Sequence, residues 1–577
     1  MFNQYYQEQL ANLRELAAEF SNAHPALAPM LKGPSTDPDA ERLLEGVAYL
    51  AALLQEKVDD EFPEIIQGLL QIVFPHYLRP LPSATIMEFM PRPNLKEVYK
   101  VPAGVSVASK PVDGTRMVFN TCYDLEVHPL KITGAVLETP AGKPPYIRLS
   151  FELYGMDLEM WETDKLRIYL AQDYPVAANL YGLLMNYLKS VTIAPQQGGR
   201  PTTLGTESVA PVGFDDSEAM IPYPSHSFPG YRILQEFLVL PQKFLFVDIK
   251  GLDRWKERGT GNHFDIIFEL SRLPFQVPRL KADEFVLFAT PAVNVFKAEA
   301  DPIVVEHKKN EYRVRASGAG RNLYQVYSVD RVTGYQQGTV KEVEYKPFEL
   351  FHQKEEDAPV YHVSFRRSRT GNFIDAMLSL TYPQEQGDPV PETLSIKVTC
   401  TNGEMAENLK VGEISEKTAD SPELLDYKNI RPSTASVLPP LGQTLLWRFL
   451  SLYTLNFFSI ANKENLKELL RLYIFPDSRD QAGTFANLKR VEGITDLEVR
   501  PADRLVRGHV MRGQQIKLKI NSENFAGDGD LYLFGSIMDS LWSSYSSLNS
   551  FTSLMVEDVL KGETYKWKAK MGDRPLI

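Results

Sequence analysis

The sequence predicts a multi-domain α+β chain: a helical N-terminal region, a β-rich middle in more than one domain, and a C-terminal α/β unit. Three observations carry that expectation. Apolar residues recur at helical spacing over residues 1–80, the pattern switches to period two from about Thr85, and helical and alternating stretches both return after Pro440. A chain of 577 residues also carries a prior of roughly three to four domains. The divisions drawn from composition and period are 1–80 (helical), 81–290 and 291–415 (β-rich), 416–440 (a Ser/Pro-rich linker) and 441–577 (helices, then a β-β-α-β-β unit).

In the first segment Tyr6, Leu10, Leu13, Ala17 and Phe20 recur at spacings of four, three, four and three, a narrow seam of the kind that meets another helix. His24-Pro25 ends it, because the residue before a proline avoids the α region. A second helix starts at Asp37-Pro38-Asp39. Asp37 suits the cap, Pro38 the first helical position, and Asp39 and Glu41 complement the positive end of the dipole. Leu43, Val47, Leu50 and Leu54 repeat the seam, and Leu44, Ala48 and Ala51 widen it. A third segment, 63–77, is apolar round most of its circumference, with Glu64, Gln67 and Gln71 as its polar stripe, and is expected to be buried on several sides. Pro75, Pro80 and Pro82 close it.

Strands follow, with period two at 85–89, 146–153, 165–170 and 245–249. Stretches rich in Pro and Gly, such as 195–213 and 383–391, interrupt them as loops. Helices return at 441–460 and at 463–473, the second capped by Asn462. Near the C-terminus Ile516, Leu518 and Ile520 face one way and Lys517 and Lys519 the other. A helical period over 531–548 leads into 551–556, and Tyr565, Trp567 and Ala569 then alternate with Lys566, Lys568 and Lys570.

Composition excludes several classes of function. A net charge of -12 argues against nucleic acid as the main partner, since phosphate binding needs a basic surface. Cys122 and Cys400 stand far apart without a CxxC, which reads as two reduced thiols rather than a disulfide framework. The N-terminus lacks the basic and apolar regions of a Sec signal, and runs such as 237–241 and 244–247 are too short to span a bilayer. The expected location is the cytosol, with no direct membrane insertion.

No catalytic constellation emerges. GxxxxGK[ST], HExxH, GxSxG and spaced Cys/His clusters are missing from the sequence. Gly318-Ala-Gly320 and Gly259-Thr-Gly261 lack the third glycine of a nucleotide cradle and read as turns. His24 and His76 lie beside or near prolines, where a side-chain hydrogen bond to backbone is expected. His352 and His362, even on paired strands, lack the third ligand a metal requires. The carboxylate runs 59–61, 215–216 and 355–357 read as solvated turns or helix ends. Arg366, Arg367 and Arg369 form the strongest basic patch and suit a protein contact or a solvated loop. What stands out is apolar helical surface, which either packs on itself as a small bundle or awaits helices of another chain.

These same segments resemble the TssF (ImpG/VasA) family of type VI secretion baseplate subunits. The likeness runs through YYQEQLANLRELAAEFSNAHPALAPML, DPDAERLLEGVAYLAALLQEKVDDEFPEIIQGLLQIVFPHYLRPLPS, PVGFDDSEAM, FPGYRILQEFLVLPQKFLFVDIKGL and TPAVNVFKAEADPIVVEHKKNEYRV. It continues in LSIKVTCTNG, LGQTLLWRFLSLYTLNFFSI and LYLFGSIMDSLWSSYSSLNSFTSL, so it covers the chain in order from end to end. Departures are small: Val295 replaces a usual leucine, and Ala406 stands where proline is usual after CTNG.

The resemblance implies a contractile-tail wedge protein with no enzymatic activity, cofactor or metal. Its implied partners are TssG (two copies of this chain to one TssG), TssK and TssE, the spike, tube and sheath proteins, and the inner-membrane complex at its cytoplasmic face. It tips the helical seams toward docking and makes Tyr6, Leu10, Leu13, Ala17, Phe20, Leu43, Val47, Leu50 and Leu54 the expected partner-binding residues, with Arg366, Arg367 and Arg369 as a further contact patch. A wedge protein of a phage or phage-derived tail is the near alternative. An acidic β-rich hydrolase is the distant one, requiring two opposed carboxylates in a cleft.

Overall fold

The computed structural model of the chain describes residues 2–23, 38–224, 227–306, 308–318, 323–336, 342–348, 359–368, 373–382, 391–441, 448, 460–475, 479–506 and 509–572. Two compact units emerge: residues 1–73 with 440–450, and residues 74–439 with 451–577. The expected helix at 441–460 falls almost wholly outside the described residues.

The first unit is built on two helices, α1 (Phe2–Ala23) and α2 (Pro38–Val73). The expected second and third helices are one. Pro63 lies inside α2, whose 36 residues run on without interruption. An internal proline removes a single backbone hydrogen bond, at a cost of about 3 kcal/mol, and the apolar period resumes at once with Ile66 and Leu70, both buried. The polar stripe is also corrected. Gln67 is buried, whereas Leu69 and Val73 are exposed.

The second unit holds the sheets. A six-stranded antiparallel sheet joins Ala84–Pro91 to Ala289–Val293 on one side and Leu425–Asn429 on the other, and extends through Val118–Thr121, Ser106–Ser109 and Ile414–Glu416. The stretch read as a linker, 416–440, therefore supplies a strand. The Asn429 side chain explains its fixity: it accepts from the backbone of Ile414 and donates to the carbonyls of Lys410 and Arg431.

Beside it, a five-stranded sheet (centred on Tyr146–Leu153 and His263–Leu270) faces a four-stranded one (centred on Lys165–Leu170 and Phe246–Lys250). Ile147, Leu149 and Phe268 of the first meet Ile168, Val247 and Ile249 of the second around a small void. The middle also carries two helices that the period-two reading does not anticipate, α3 (Tyr174–Asn186) and α4 (Pro229–Val239). Each begins with a proline in its first turn, and α3 buries residues round most of its circumference.

Strands between Phe296 and Thr401 form a small barrel. In order round the wall these are Phe296–Glu299 with Ile303–Val305, Glu392–Thr401, Gln325–Gln336, Glu342–Pro347, Val360–Arg367, Ile374–Thr381 and Glu311–Val314. A bridge between Ala300 and Ala316 returns the last strand to the first position. Leu394, Ile396, Val398 and Cys400 alternate inward along one strand.

After α5 (Lys463–Leu472), capped by Asn462 accepting from the Glu464 N–H, comes α6 (Gln481–Glu492), which the sequence reading did not single out. The chain ends as β-β-α-β-β. Ile494–Val506 and His509–Ile520 pair as a hairpin, α7 (Asp528–Tyr545) crosses over, and Ser550–Asp558 returns parallel to the hairpin's second strand, with Thr564–Lys566 on its far side. Helix α7 packs on α3 and α4 as well as on its own sheet, so the C-terminal unit shares a core with the middle.

Candidate docking site

Residues of chemical interest are spent on structure. Asp215 caps a 3-10 turn by accepting from Ser217, and Asp216 pairs with Arg232. His362 sits opposite Ser379 in the barrel wall with its ring edge-on to Phe348, while His24, His352 and the run 355–357 lie outside the described residues, as do the side chains of 59–61. Cys122 and Cys400 are buried and unbridged, and burial pushes the Cys400 thiol up to about 12. Among the described residues, His, Cys, Asp and Glu nowhere gather in threes able to hold a metal.

His76 does not bond to backbone, as its position beside a proline suggested. Its Nε2 shares a hydrogen bond of 2.9 Å with the Tyr473 hydroxyl, within a stack of rings that includes Tyr223 and Tyr231. Burial, helped by the nearby Arg79 cation, lowers its pKa from 6.5 to about 3, so the ring is neutral. The Tyr77 hydroxyl donates to the Leu472 carbonyl. Thus the residues that follow α2 in the chain are fastened to the end of α5.

A second buried cluster positions the loop before α4. Glu236 is fully buried, and its Oε1 accepts from the Met220 and Ile221 backbone at 2.7 and 3.0 Å. Its Oε2 takes the buried Lys243 ammonium and faces Arg232 at 3.4 Å, while Lys243 also donates to the Gly213 carbonyl. Burial lowers the Lys243 pKa, against the pull of Glu236. Two cations around one fully buried carboxylate make a staple rather than a reactive pair.

The helical seams separate into two kinds. Helix α1 packs along α2, and the residues it buries include Leu10 and Ala17, with Tyr6 and Leu13 half-buried and Phe20 exposed. The residues α2 buries are Ala48 and Ala52, small side chains that let two helices approach closely. Leu43, Val47, Leu50 and Leu54 point away: they are 69%, 46%, 61% and 67% exposed. At 3.6 residues per turn this row lies about 150° round α2 from Ala48 and Ala52. The structure thus brings Leu10, Ala17, Ala48 and Ala52 into a core and leaves the leucine row as a continuous apolar face. Leu16 and Leu53 are exposed too, at 59% and 40%, and only their positions off the seam hid them from sequence reading.

The arginine patch is partly neutralised. Arg366 makes a two-pronged contact with Glu311, both N–O distances 2.9 Å, and Arg367 is exposed at the end of its strand; Arg369 lies outside the described residues. No described helix is long and apolar enough to cross a membrane.

Comparison with known proteins adds an independent line. The family model described as "Type VI secretion system, TssF" matches residues 1–574. The chain is 28% identical over 622 aligned positions to the type VI secretion system component TssF1 of Pseudomonas aeruginosa, covering 99% of each. It superimposes with a TM-score of 0.76 on a chain of a TssK-TssF-TssG baseplate subcomplex of the type VI secretion system solved by cryo-electron microscopy, at 26% identity, over 92% of this chain and 99% of that one. A chain of a type VI secretion baseplate complex shares the fold at a TM-score of 0.64 and 23% identity, over the whole of both.

Proposed function

Since the chain belongs to the TssF family of type VI secretion systems, we propose that it is a baseplate wedge subunit whose exposed α2 face binds a TssG-type partner. In this reading two copies flank one TssG, TssK and TssE complete the wedge, and wedges surround the spike to nucleate tube and sheath. The assembly docks at the cytoplasmic face of the inner membrane. The role is architectural, and its mechanism is a change between packings at interfaces, each favoured by different contacts.

The observation that carries this reading is the leucine row. Four large apolar side chains in line, each at least 46% exposed, are held on the side of α2 away from its own helix partner. A monomer gains nothing by exposing them, whereas burial against a partner helix contributes about 1.5–3 kcal/mol per side chain. The similar chain solved in a TssK-TssF-TssG subcomplex supports TssG as the class of partner.

The test is co-purification with the TssG-type subunit from the same secretion system. Leu50→Asp with Leu54→Asp is expected to abolish the complex, while the circular dichroism and melting temperature of the isolated chain stay unchanged because both positions are exposed. Retained binding in that variant, with the fold intact, refutes the docking role of the row.

A further inference from the structure

The second unit holds a groove that the packing described above leaves unused. Its volume is about 1080 Å³, and most of its lining is apolar, Met90, Ile132, Leu287 and Ile430 included. Three parts of the wall are runs of consecutive residues, 88–91, 130–132 and 285–288. Successive side chains of a strand point to opposite faces, so a wall touched by every residue in turn is a strand edge. The pairing agrees. Phe285–Leu287 is the last strand of the four-stranded sheet and Leu130–Glu138 the last of the five-stranded one. Ala84–Pro91 runs on past its pairing with Ala289–Val293, which ends at Glu88.

The register shows which groups the first of these edges leaves open. Phe285 lies opposite Leu170, and Val286 opposite Tyr169. The Ala171 N–H donates to the Glu284 carbonyl at 2.8 Å, so Glu284 and Val286 are the residues that bond across this antiparallel pair. The N–H and C=O groups of Phe285 and Leu287 therefore point away from it. Among the described residues no backbone group meets them. They repeat at the two-residue spacing of a strand and form a template for one more.

Charge narrows the occupant. The charged residues of the lining are Glu88, Lys131, Asp283 and Lys428. Lys428 pairs with Glu88 at 3.6 Å and Lys131 with Glu152 at 2.9 Å. Asp283 is exposed and has no ion-pair partner among the described residues. The unspent charge of an otherwise apolar groove is thus a carboxylate, and a cation complements it. A small apolar molecule would leave the open edge unpaired, whereas an extended chain pairs it.

We propose that this groove binds an extended segment of a partner protein, apolar at alternate residues and carrying a lysine or arginine. The segment adds as a strand to the Phe285–Leu287 edge and sets its cation against Asp283. The assignment does not depend on the partner of α2.

The experiment uses the full chain and fluorescence anisotropy with a fluorescein-labelled, C-terminally amidated Lys-Val-Thr-Val-Thr-Val peptide. Two further peptides carry N-methyl groups, one on its valines and the other on its threonines. A strand paired along one edge turns alternate N–H groups toward it. Saturable binding is therefore expected for the parent peptide, with a loss of tenfold or more in one methylated peptide and little change in the other. Glutamine in place of the lysine, and Asp283→Asn in the protein, are each expected to weaken binding roughly three- to fivefold, as befits an exposed ion pair. Val411→Arg, at a lining position that is 56% exposed, is expected to weaken it at least tenfold with the melting temperature unchanged. No saturable binding, or unchanged affinity in Val411→Arg or Asp283→Asn, overturns the proposal. Equal effects of the two methylation patterns overturn strand addition.

Discussion

The buried histidines make stability depend on pH, and His76 carries the larger share. Its pKa falls from 6.5 in an unfolded chain to about 3 in the ring stack, chiefly through burial. Between those values the unfolded state binds a proton that the folded state refuses, so stability rises with pH across the window and is lost as pH falls below 6.5. At 1.36 kcal/mol per pKa unit, the loss from His76 is about 2 kcal/mol at about pH 5 and approaches about 5 kcal/mol below its folded pKa. His128, whose ring nitrogen accepts from the Trp161 indole, is lowered to about 4, again mainly by burial. It adds about 2 kcal/mol at about pH 5. His76→Phe keeps an aromatic ring in the stack and removes the titrating group. Urea unfolding followed by tryptophan fluorescence at about pH 7.5 and about pH 5 then reads the difference. The native chain is expected to lose about 4 kcal/mol from the two histidines on acidification and the variant about half as much. An identical acid loss in the two proteins would falsify the placement of His76 in a dry, proton-refusing site.

Two further perturbations test the packing of the second unit. Glu236→Gln preserves an acceptor for the Met220 and Ile221 N–H groups but leaves Lys243 and Arg232 facing a neutral amide. The expected cost is about 3–5 kcal/mol, seen as a fall in melting temperature, and Lys243→Met added to it is expected to restore more than half. A double variant less stable than the single one contradicts this account. Gly529→Ala places a Cβ 2.0 Å from the Ala178 carbonyl oxygen, where α7 meets α3 at Gly182. Because the obstruction is backbone, the helices must part, at about 3 kcal/mol; a melting temperature within a degree or so of the native chain means that they do not touch there.

Much of the secondary structure was legible because burial imposes a local period. Tyr146–Leu153 alternates buried and half-buried residues along its whole length, and Ile516, Leu518 and Ile520 are all fully buried. The Asn462 cap was legible because capping needs only neighbours in sequence. Helices α3 and α4 were not, since short apolar runs do not distinguish a buried helix from a buried strand; the prolines at their starts were the available signal. Strand Leu425–Asn429 lay hidden in a Ser/Pro-rich stretch, because its partner is Ala84–Pro91, more than three hundred residues earlier.

The candidate sites divide in the same way. Periodicity alone determined that residues 1–80 carry apolar helical rows and that residues 516–520 and 565–570 alternate as strands on either side of a helix, since both follow from local geometry. Which row turns inward was a tertiary outcome. Ala48 and Ala52 allow a closer helix contact than leucines do, so the smaller side chains took the core and Leu43, Val47, Leu50 and Leu54 were left facing outward. The barrel mouth was also beyond the sequence. Arg315, just past strand Glu311–Val314, and Gln325, at the start of the next strand, line one cavity at the end of the barrel that the Ala300–Ala316 bridge closes. Local periods are set by a residue's immediate neighbours, whereas the choice of face and the closure of a barrel depend on contacts between distant segments, which only the folded chain supplies.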